Sequence, residues 1–480
     1  MRYKVGVDRK QLSLLPVSLD EYIPEDHICR VVDAFTGQLD MAALGFKHAE
    51  CKDTGSPPYD PRMMLNLYIY GYLNRVRSSR RLEAETRRNV EVMWLLEELR
   101  PDARTICYFR TGNSAALKET LKKFVQMCRE QGLYGGEVAA QDSTKFRANN
   151  SRKNNHNKST VERELEGIDK QISGYLAALD QGDREEAEEP TPDAKALKGA
   201  LERLRERRHT YEELAKQVQA EGEVSTVDPD ARLMHSNGDA RKLDACYNVQ
   251  TVVDSKHHLI VDFDVAERSD DHGNLQPMME KTKDALKVQT ITCLADTGFY
   301  DGQDIAACEG QGVTCLVAKP KPGGAKKPEG FSRERFAYDR EKDCYTCPQG
   351  NRLGYMRDHK HSNGKVYRLY ANYGACRVCP VRAECTKRDF RDILRPLYQD
   401  TLDVVDERTR KNKGLYRRRQ EIVEHVFGTV KAVWGYKQLL CRTKAKVIGE
   451  ISLAYLAYNI RRYVNIMAER AKKEGKPVAA

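Results

Sequence analysis

Over the first 133 residues apolar positions recur every three or four residues, the spacing of helices that bury one face. The run DPRMMLNLYIYGYLNRV (60–76) carries that period, with Pro61 suited to a first helical turn. SSRRLEAETRRNVEVMWLLEEL continues it with Ser79 as N-cap, and PDARTICYFRTGN and SAALKETLKKFVQMCREQGL follow. At GGEVAAQDSTKF (135–146) the pattern changes to that of a short strand, which ends on Asp142. Residues 158–222 return to a helical period. There Leu165, Ile168, Ile172, Tyr175, Leu176 and Leu179 form a heptad-like seam, which predicts an antiparallel helical hairpin broken at GDREEAEEPTP.

Beyond STVDPDARLM the chain is strand-rich. YNVQTVVD (247–254) and HHLIVDFDVAE (257–267) flank Ser-Lys and predict a β-hairpin. A helix with Asn274 as N-cap, the strand QTITCLAD, the helix DGQDIAACEGQG and the strand VTCLVAK (313–319) come next. An antiparallel pair followed by β-α-β-α-β predicts a mixed sheet with helices on both faces. Residues 320–400 interrupt this pattern, starting from a flexible PKPGGAKKPEG lead-in, and helices over about 415–433 and 445–470 close the chain.

A length of 480 residues allows two or more domains, and 40% hydrophobic with 32% charged residues suits a polar globular protein. No apolar run reaches the ~18 residues of a membrane span. The N-terminal stretch lacks the apolar core of a secretion signal, so a cytoplasmic location is expected. Lys and Arg outnumber Asp and Glu by 81 to 71. The excess is concentrated in NRVRSSRRLEAETRRN, NNSRKNNHNK and ERTRKNKGLYRRRQ, stripes that suit a polyphosphate partner. The short N-terminal helices with Arg-rich faces resemble a helix-turn-helix type DNA-binding module; an all-helical dimerisation domain is the alternative. Fourteen cysteines in such a chain argue against a disulfide scaffold. Cys107, Cys128, Cys246, Cys293 and Cys315 sit singly in apolar contexts, as buried small hydrophobes do.

Three carboxylates carry candidate chemistry: Asp142, Asp296 and Glu424. Asp296 ends the strand in LADTGFYDG, where it either caps the next turn or holds a metal at a sheet edge, with Gly298 turning the chain away. Glu424 lies in YRRRQEIVEHVFGTVKAVWG, where Ile422, Val423, Val426, Phe427 and Val430 share a face. Arg417 and Lys431 stand seven residues either side, nearly two turns, so all three align. Attack on a phosphodiester needs an activated oxygen and a neutralised leaving oxygen, which two Mg2+ ions ~4 Å apart supply. Mg2+ prefers carboxylate oxygens. Asp228, Asp230, Asp254 and Asp271 compete, as site liners or as caps and turns. CYTCPQG and CRVCPVRAEC offer five cysteines, a zinc signal. Spacing alone favours Cys344, Cys347, Cys376 and Cys379.

QDSTK, LADTGFYDG and YRRR…VEHVFGTVK resemble the DDE-type transposases of bacterial insertion sequences. The likeness extends to PVSLDEYIPEDHICRVVD and DPRMMLNLYIYGYL in the N-terminal domain, and to CRTKAKVIGEISLAYLAYNIRRY at the end. The resemblance implies an α/β, RNase H-like mixed sheet flanked by helices, with Asp142, Asp296 and Glu424 as catalytic ligands of Mg2+ or Mn2+. Many relatives carry a tyrosine, an arginine, the glutamate and a lysine at fixed spacing. Here Lys431 fits, Tyr416 and Arg419 are one residue displaced, and Gln420 holds the expected arginine position, so Arg417 or Arg419 substitutes; Lys431, Arg417, Arg419 and Tyr416 are the implied DNA-binding residues. The resemblance also favours Cys347, Cys376, Cys379 and Cys385 as a structural Zn2+ set.

The implied organisation is an all-α DNA-binding domain (1–133), an RNase H-like catalytic domain (134–157 and 223–320) interrupted by a helical-hairpin insertion (158–222), and a zinc-ribbon-like insertion (321–400). C-terminal catalytic helices (401–470) and a disordered tail (471–480) complete it. The implied activity is cleavage at terminal inverted repeats and joining to target DNA, by a homodimer on double-stranded DNA in the bacterial nucleoid. A nuclease without strand transfer and a non-catalytic DNA-binding regulator are the alternatives.

Overall fold

The computed structural model of the chain describes residues 18–51, 57–184, 192–236, 239–320, 331–360 and 366–474. Six helices come first: α1 (Ile28–Gly37), α2 (Pro61–Leu73), α3 (Ser79–Glu85), α4 (Val90–Leu95), α5 (Ala103–Gly112) and α6 (Ser114–Glu130). Pro61 opens α2 beneath an Asp60 cap, as its sequence predicts. The α3 cap position falls on Ser78 rather than Ser79, and its hydroxyl makes no cap bond. Asn89 instead starts α4 by accepting from the Glu91 and Val92 amides.

After β1 (Val138–Arg147) and the short β2 (Asn155–Asn157), helices α7 (Lys158–Arg184) and α8 (Pro192–Glu221) form the expected hairpin, closed at its base by β3 (Glu223–Ser225). Ile168 is buried on the α7 seam, while Leu176 is exposed and off it. Most of the polar break GDREEAEEPTP lies outside the described residues.

The main sheet adds β4 (Arg232–Ser236), β5 (Asp239–Asp254), β6 (Ile260–Ala266), α9 (Leu275–Leu286), β7 (Ile291–Ala295), α10 (Gly302–Gly310) and β8 (Val313–Val317). Strands run in the order β6-β5-β1-β7-β8, with β4 extending the β6 edge; β7 and β8 are parallel to β1 and β5 is antiparallel to it. The β5–β6 connection is longer than Ser-Lys, spanning 255–259, with His258 at φ 56°. Asn274 does occupy the α9 cap position, but the Asp304 carboxylate accepts the Leu275 and Gln276 amides in its place, both at 2.9 Å.

Residues 331–400 fold separately as an antiparallel sheet of β9 (Ala337–Asp339), β10 (Cys344–Thr346), β11 (Arg352–Lys360), β12 (Val366–Ala371) and β13 (Asp392–Pro396). The short helices α11 (Tyr373–Arg377) and α12 (Arg382–Cys385) join it. Its small core is Phe336, Tyr345, Leu353, Tyr370 and Ile393. The PKPGGAKKPEG lead-in lies almost wholly outside the described residues.

Helices α13 (Gln399–Lys411), α14 (Lys413–Phe427) and α15 (Lys444–Glu474) follow, with a π-helical stretch, Gly428–Val433, extending α14. Between Val447 and Ile460 nearly every α15 side chain is buried, as expected for a helix enclosed on all sides. N-terminal helices and sheet pack around it in one continuous core. A Cβ on Gly449 would stand 2.8 Å from the Ser114 Cα, so glycine is what lets α15 lie against α6. α15 runs to Glu474, with Lys472 and Lys473 suiting its C-terminal dipole, so 471–474 of the expected tail are helical. Residues 475–480 lie outside the described residues. No described helix is long and apolar enough to cross a membrane.

Candidate active site at the end of strand β7

Asp142 lies in the middle of β1, not at its end as the sequence suggests, because β5 pairs with β1 as far as Arg147. On the other side β7 pairs only with 138–140, so β1 loses that neighbour just before Asp142. Continuing the register from Ala140 opposite Leu294 brings Asp296 level with Asp142. The two aspartates therefore come level where β7 lets go of the sheet, near enough for the Asp296 charge to act on Asp142, which the alternation within either strand alone does not reveal.

The structure bears out the capping reading of Asp296. It ends β7, and its Oδ1 accepts the Gly298 amide at 2.7 Å to cap the turn Thr297–Phe299. Gly298 does not take a left-handed conformation; what it supplies is room. A Cβ there would stand 3.0 Å from Asp296 Oδ1 and 3.1 Å from Asp271 Oδ2. Asp271, held by Asn248 (3.0 Å) and Gln250 (2.7 Å) of β5, is thus a further carboxylate at this edge. Its only sequence signal was its place in DDHG. The other competing acids are structural. Asp228 accepts from Tyr247 and the Thr443 amide, Asp230 from the Lys444 amide, and Asp254 from the amides of Gly135, Gly136 and Lys256.

Alternation along β1 turns Asp142, Thr144 and Phe146 toward α14 and α15, and Gln141 toward α9. Arg419, on the sheet-facing side of α14, donates to Asp142 Oδ2 at 2.7 Å, and both side chains are mostly buried. Burial pushes the Asp142 carboxyl up to about 6, opposed by the Arg419 guanidinium and reinforced by the Asp296 carboxylate. Tyr416, one turn earlier, is half-buried and raised chiefly by burial; Arg419 and Asp296 both act on it.

Glu424 is exposed, on the flank of α14 that carries Tyr416 and Phe427. Glu421, the other acid on this helix, is also exposed, about 60° round from Glu424 and nearer the side where His425 meets Tyr458, and it acts on His258. Among the described residues no three of the site carboxylates bring their oxygens within 4.8 Å of one another. The pair Asp142 and Asp296 is assembled by the sheet, and Glu424 stands off it on the helix. Nor do Arg417, Glu424 and Lys431 form one outward strip. Arg417 is exposed, but the wider π-helical turn rotates Lys431 inward, where it donates to Thr144 Oγ1 (2.9 Å) and the Lys145 carbonyl (2.7 Å). Burial lowers the Lys431 ammonium to about 8.

In the smaller sheet Cys347, Cys376, Cys379 and Cys385 line one cavity of about 30 Å³, and the other three thiols act electrostatically on Cys385. Cys344, favoured by spacing, is buried on β10, where its sulfur accepts from Arg352 at 3.6 Å.

Two families match the chain. A Transposase domain (DUF772) matches residues 17–112, and a Transposase DDE domain matches residues 346–464. The second match includes Glu424, Lys431 and the four cysteines, whereas Asp142 and Asp296 fall between the two. No curated protein and no solved structure matches the chain.

Proposed function

The chain belongs to the DDE-type transposases of insertion sequences, and we propose that it cuts DNA at terminal inverted repeats and joins the ends to target DNA at a site built from Asp142, Asp296 and Glu424. The observation that carries this reading is the placement of Asp142 level with Asp296 where β7 leaves the sheet. The strand order β6-β5-β1-β7-β8 supports an RNase H-like sheet.

The donor set fits Mg2+ or Mn2+: carboxylate oxygens are hard ligands, and a carboxyl raised by burial beside a second carboxylate is relieved by a cation. Asp142, Asp296 and Glu424 would hold it. Bound there, it would activate the attacking oxygen and neutralise the leaving one. Arg419 balances Asp142 within the DNA-free site. Arg417 and Tyr416 border the approach and, with Arg419, would meet the sugar–phosphate backbone. Lys431 would fix β1 beneath it. Both reactions are in-line displacements at one phosphodiester, and two ends must be held together, so a homodimer on DNA is expected.

The test is Mg2+-dependent cleavage and joining of labelled inverted-repeat DNA by the purified chain. Joined product supports the transposase. Cleavage without joining leaves a nuclease, and tight binding without cleavage leaves a regulator.

Two expected results bear on the ligands. Asp142 must ionise to hold a cation, so Mn2+ affinity in calorimetry should fall as pH drops through about 6, by ~10-fold per unit for one proton. A pH-independent affinity between 5 and 7 would remove Asp142 from the ligand set. The second concerns zinc, which Cys347, Cys376, Cys379 and Cys385 would hold as thiolates, closing residues 331–400 around a small core. Cys379→Ser is expected to lose bound zinc and Cys344→Ser to retain it, by metal analysis of the purified proteins. The reverse would restore the set chosen by spacing.

A further inference from the structure

The basic residues outside the site are not evenly spread. After the π-helical stretch, residues 437–439 run beside the end of β1: the Arg147 amide donates to the Lys437 carbonyl (3.0 Å) and the Leu439 amide to the Arg147 carbonyl (2.8 Å). Asn149 Nδ2 donates to the Leu440 carbonyl and Arg442 Nε to the Asn149 carbonyl, both at 2.9 Å. The N-terminal helices clamp the same run. Arg77 donates to the Gln438 carbonyl (2.9 Å) and stacks 4.4 Å from the Tyr436 ring, whose hydroxyl donates to the Tyr72 carbonyl (2.5 Å). Arg75 acts on Tyr436 from the α2–α3 turn.

This brings the chain at Arg75, Arg147, Lys437 and Arg442 together at one end of β1, with all four side chains exposed. Among the described residues Arg75, Lys437 and Arg442 have no ion-pair partner, and Arg147 has Asp244 only at 3.7 Å. Glu450, the buried acid beneath, is already used by Arg77 and by the amides of Leu440 and Cys441. Arg147 lies on the same strand as Asp142, five residues on and by alternation on the other face, ~17 Å along β1. At ~3.4 Å per nucleotide of one strand that is about five steps of duplex.

We propose that Arg75, Arg147, Lys437 and Arg442 form a phosphate track for double-stranded DNA flanking the bond held at Asp142 and Asp296. The track rests on the reading of DNA as substrate, and it joins the N-terminal helices to the catalytic sheet as one binding surface. Its cations meet backbone phosphates, so it adds affinity without choosing sequence.

The experiment measures binding of a labelled duplex of unrelated sequence across a salt series. It compares wild type, the quadruple variant Arg75→Gln, Arg147→Gln, Lys437→Gln, Arg442→Gln, and a control with Lys472→Gln and Lys473→Gln. The control positions lie ~42 Å along α15 from its start. Each phosphate contact contributes ~0.9 to the slope of log affinity against log salt, so the quadruple variant should lose roughly 3 to 4 in slope, and tenfold or more in affinity at fixed salt. The control should keep the wild-type slope. Thermal melting of each variant confirms that the neutral surface changes leave the fold intact. An unchanged slope in the quadruple variant overturns the track, and leaves the catalytic reading standing if wild type still cleaves inverted-repeat DNA. An equal loss in the control also overturns it, by reducing the effect to net charge. No duplex binding by wild type overturns both readings. A lost slope in a chain that never cleaves supports the track and sinks the catalytic one.

Discussion

Asp142→Asn and Asp296→Asn should each lower DNA cleavage and joining by roughly 10³-fold or more, since the charge stabilisation at stake is several kcal/mol and each ~1.4 kcal/mol is a factor of ten. Neither change should unfold the chain. Asparagine at 296 keeps an oxygen to accept the Gly298 amide, so the cap survives. At 142 the sign follows from the raised folded-state value, about 6 against 3.8. Below about pH 4 the shifted carboxyl contributes its full stability, because the folded state holds the proton more tightly. That contribution is lost as pH rises through about 6, so near neutrality the ionised group opposes folding. Replacing it with a neutral isostere removes that cost, against the loss of the partly accessible Arg419 pair. Single-turnover cleavage beside a thermal melt makes the check. Activity retained in a folded Asp296→Asn would separate the site from this sheet edge.

Glu450→Ala should be the most damaging change for stability, by ~3–5 kcal/mol, the cost of breaking a buried charged network by deleting one partner. Glu450 is 1% exposed. Its carboxylate accepts the Leu440 amide (2.9 Å) and the Cys441 amide (2.8 Å) and lies 3.4 Å from Arg77. The alanine variant leaves the buried Cys441 amide and the part-buried Leu440 amide without their acceptor and removes the counter-charge from Arg77. The segment it anchors runs beside the end of β1, so DNA affinity should fall with stability. Urea unfolding of the variant measures the first effect and duplex binding the second. A loss below ~1 kcal/mol would mean that water or Arg77 rearrangement satisfies the stranded groups.

How far the site was legible depended on how local its determinants are. Asp296 could be read directly, because a strand ending on an acid before a tight turn is a local pattern. Asp142 was identifiable as a residue but misplaced as a strand end. The length of β1 is set by β5, about a hundred residues later in the chain, and by where β7 stops. The alignment of Arg417, Glu424 and Lys431 assumed a uniform helix, and the π-helical stretch broke it. Arg419 could be named only as one of two candidates. Its pairing with Asp142 spans more than 270 residues, and the periodicity of α14 shows only which side is buried, not what faces it.

The sequence by itself determined the kinds of element, the helical hairpin, the separate cysteine-bearing segment and which acids are candidates, because period, capping and side-chain chemistry act within a few residues. Only the tertiary structure decided which acids are spent as internal hydrogen-bond acceptors, as with Asp228, Asp230 and Asp254, and which stand at the sheet edge, as with Asp142, Asp271 and Asp296. It alone decided that Lys431 turns in to β1 rather than standing in line with Glu424, and that Cys344 lies outside the cavity that the other four thiols line. Those choices follow from strand register and helix rotation, which are set by partners distant in the chain and so leave no local trace.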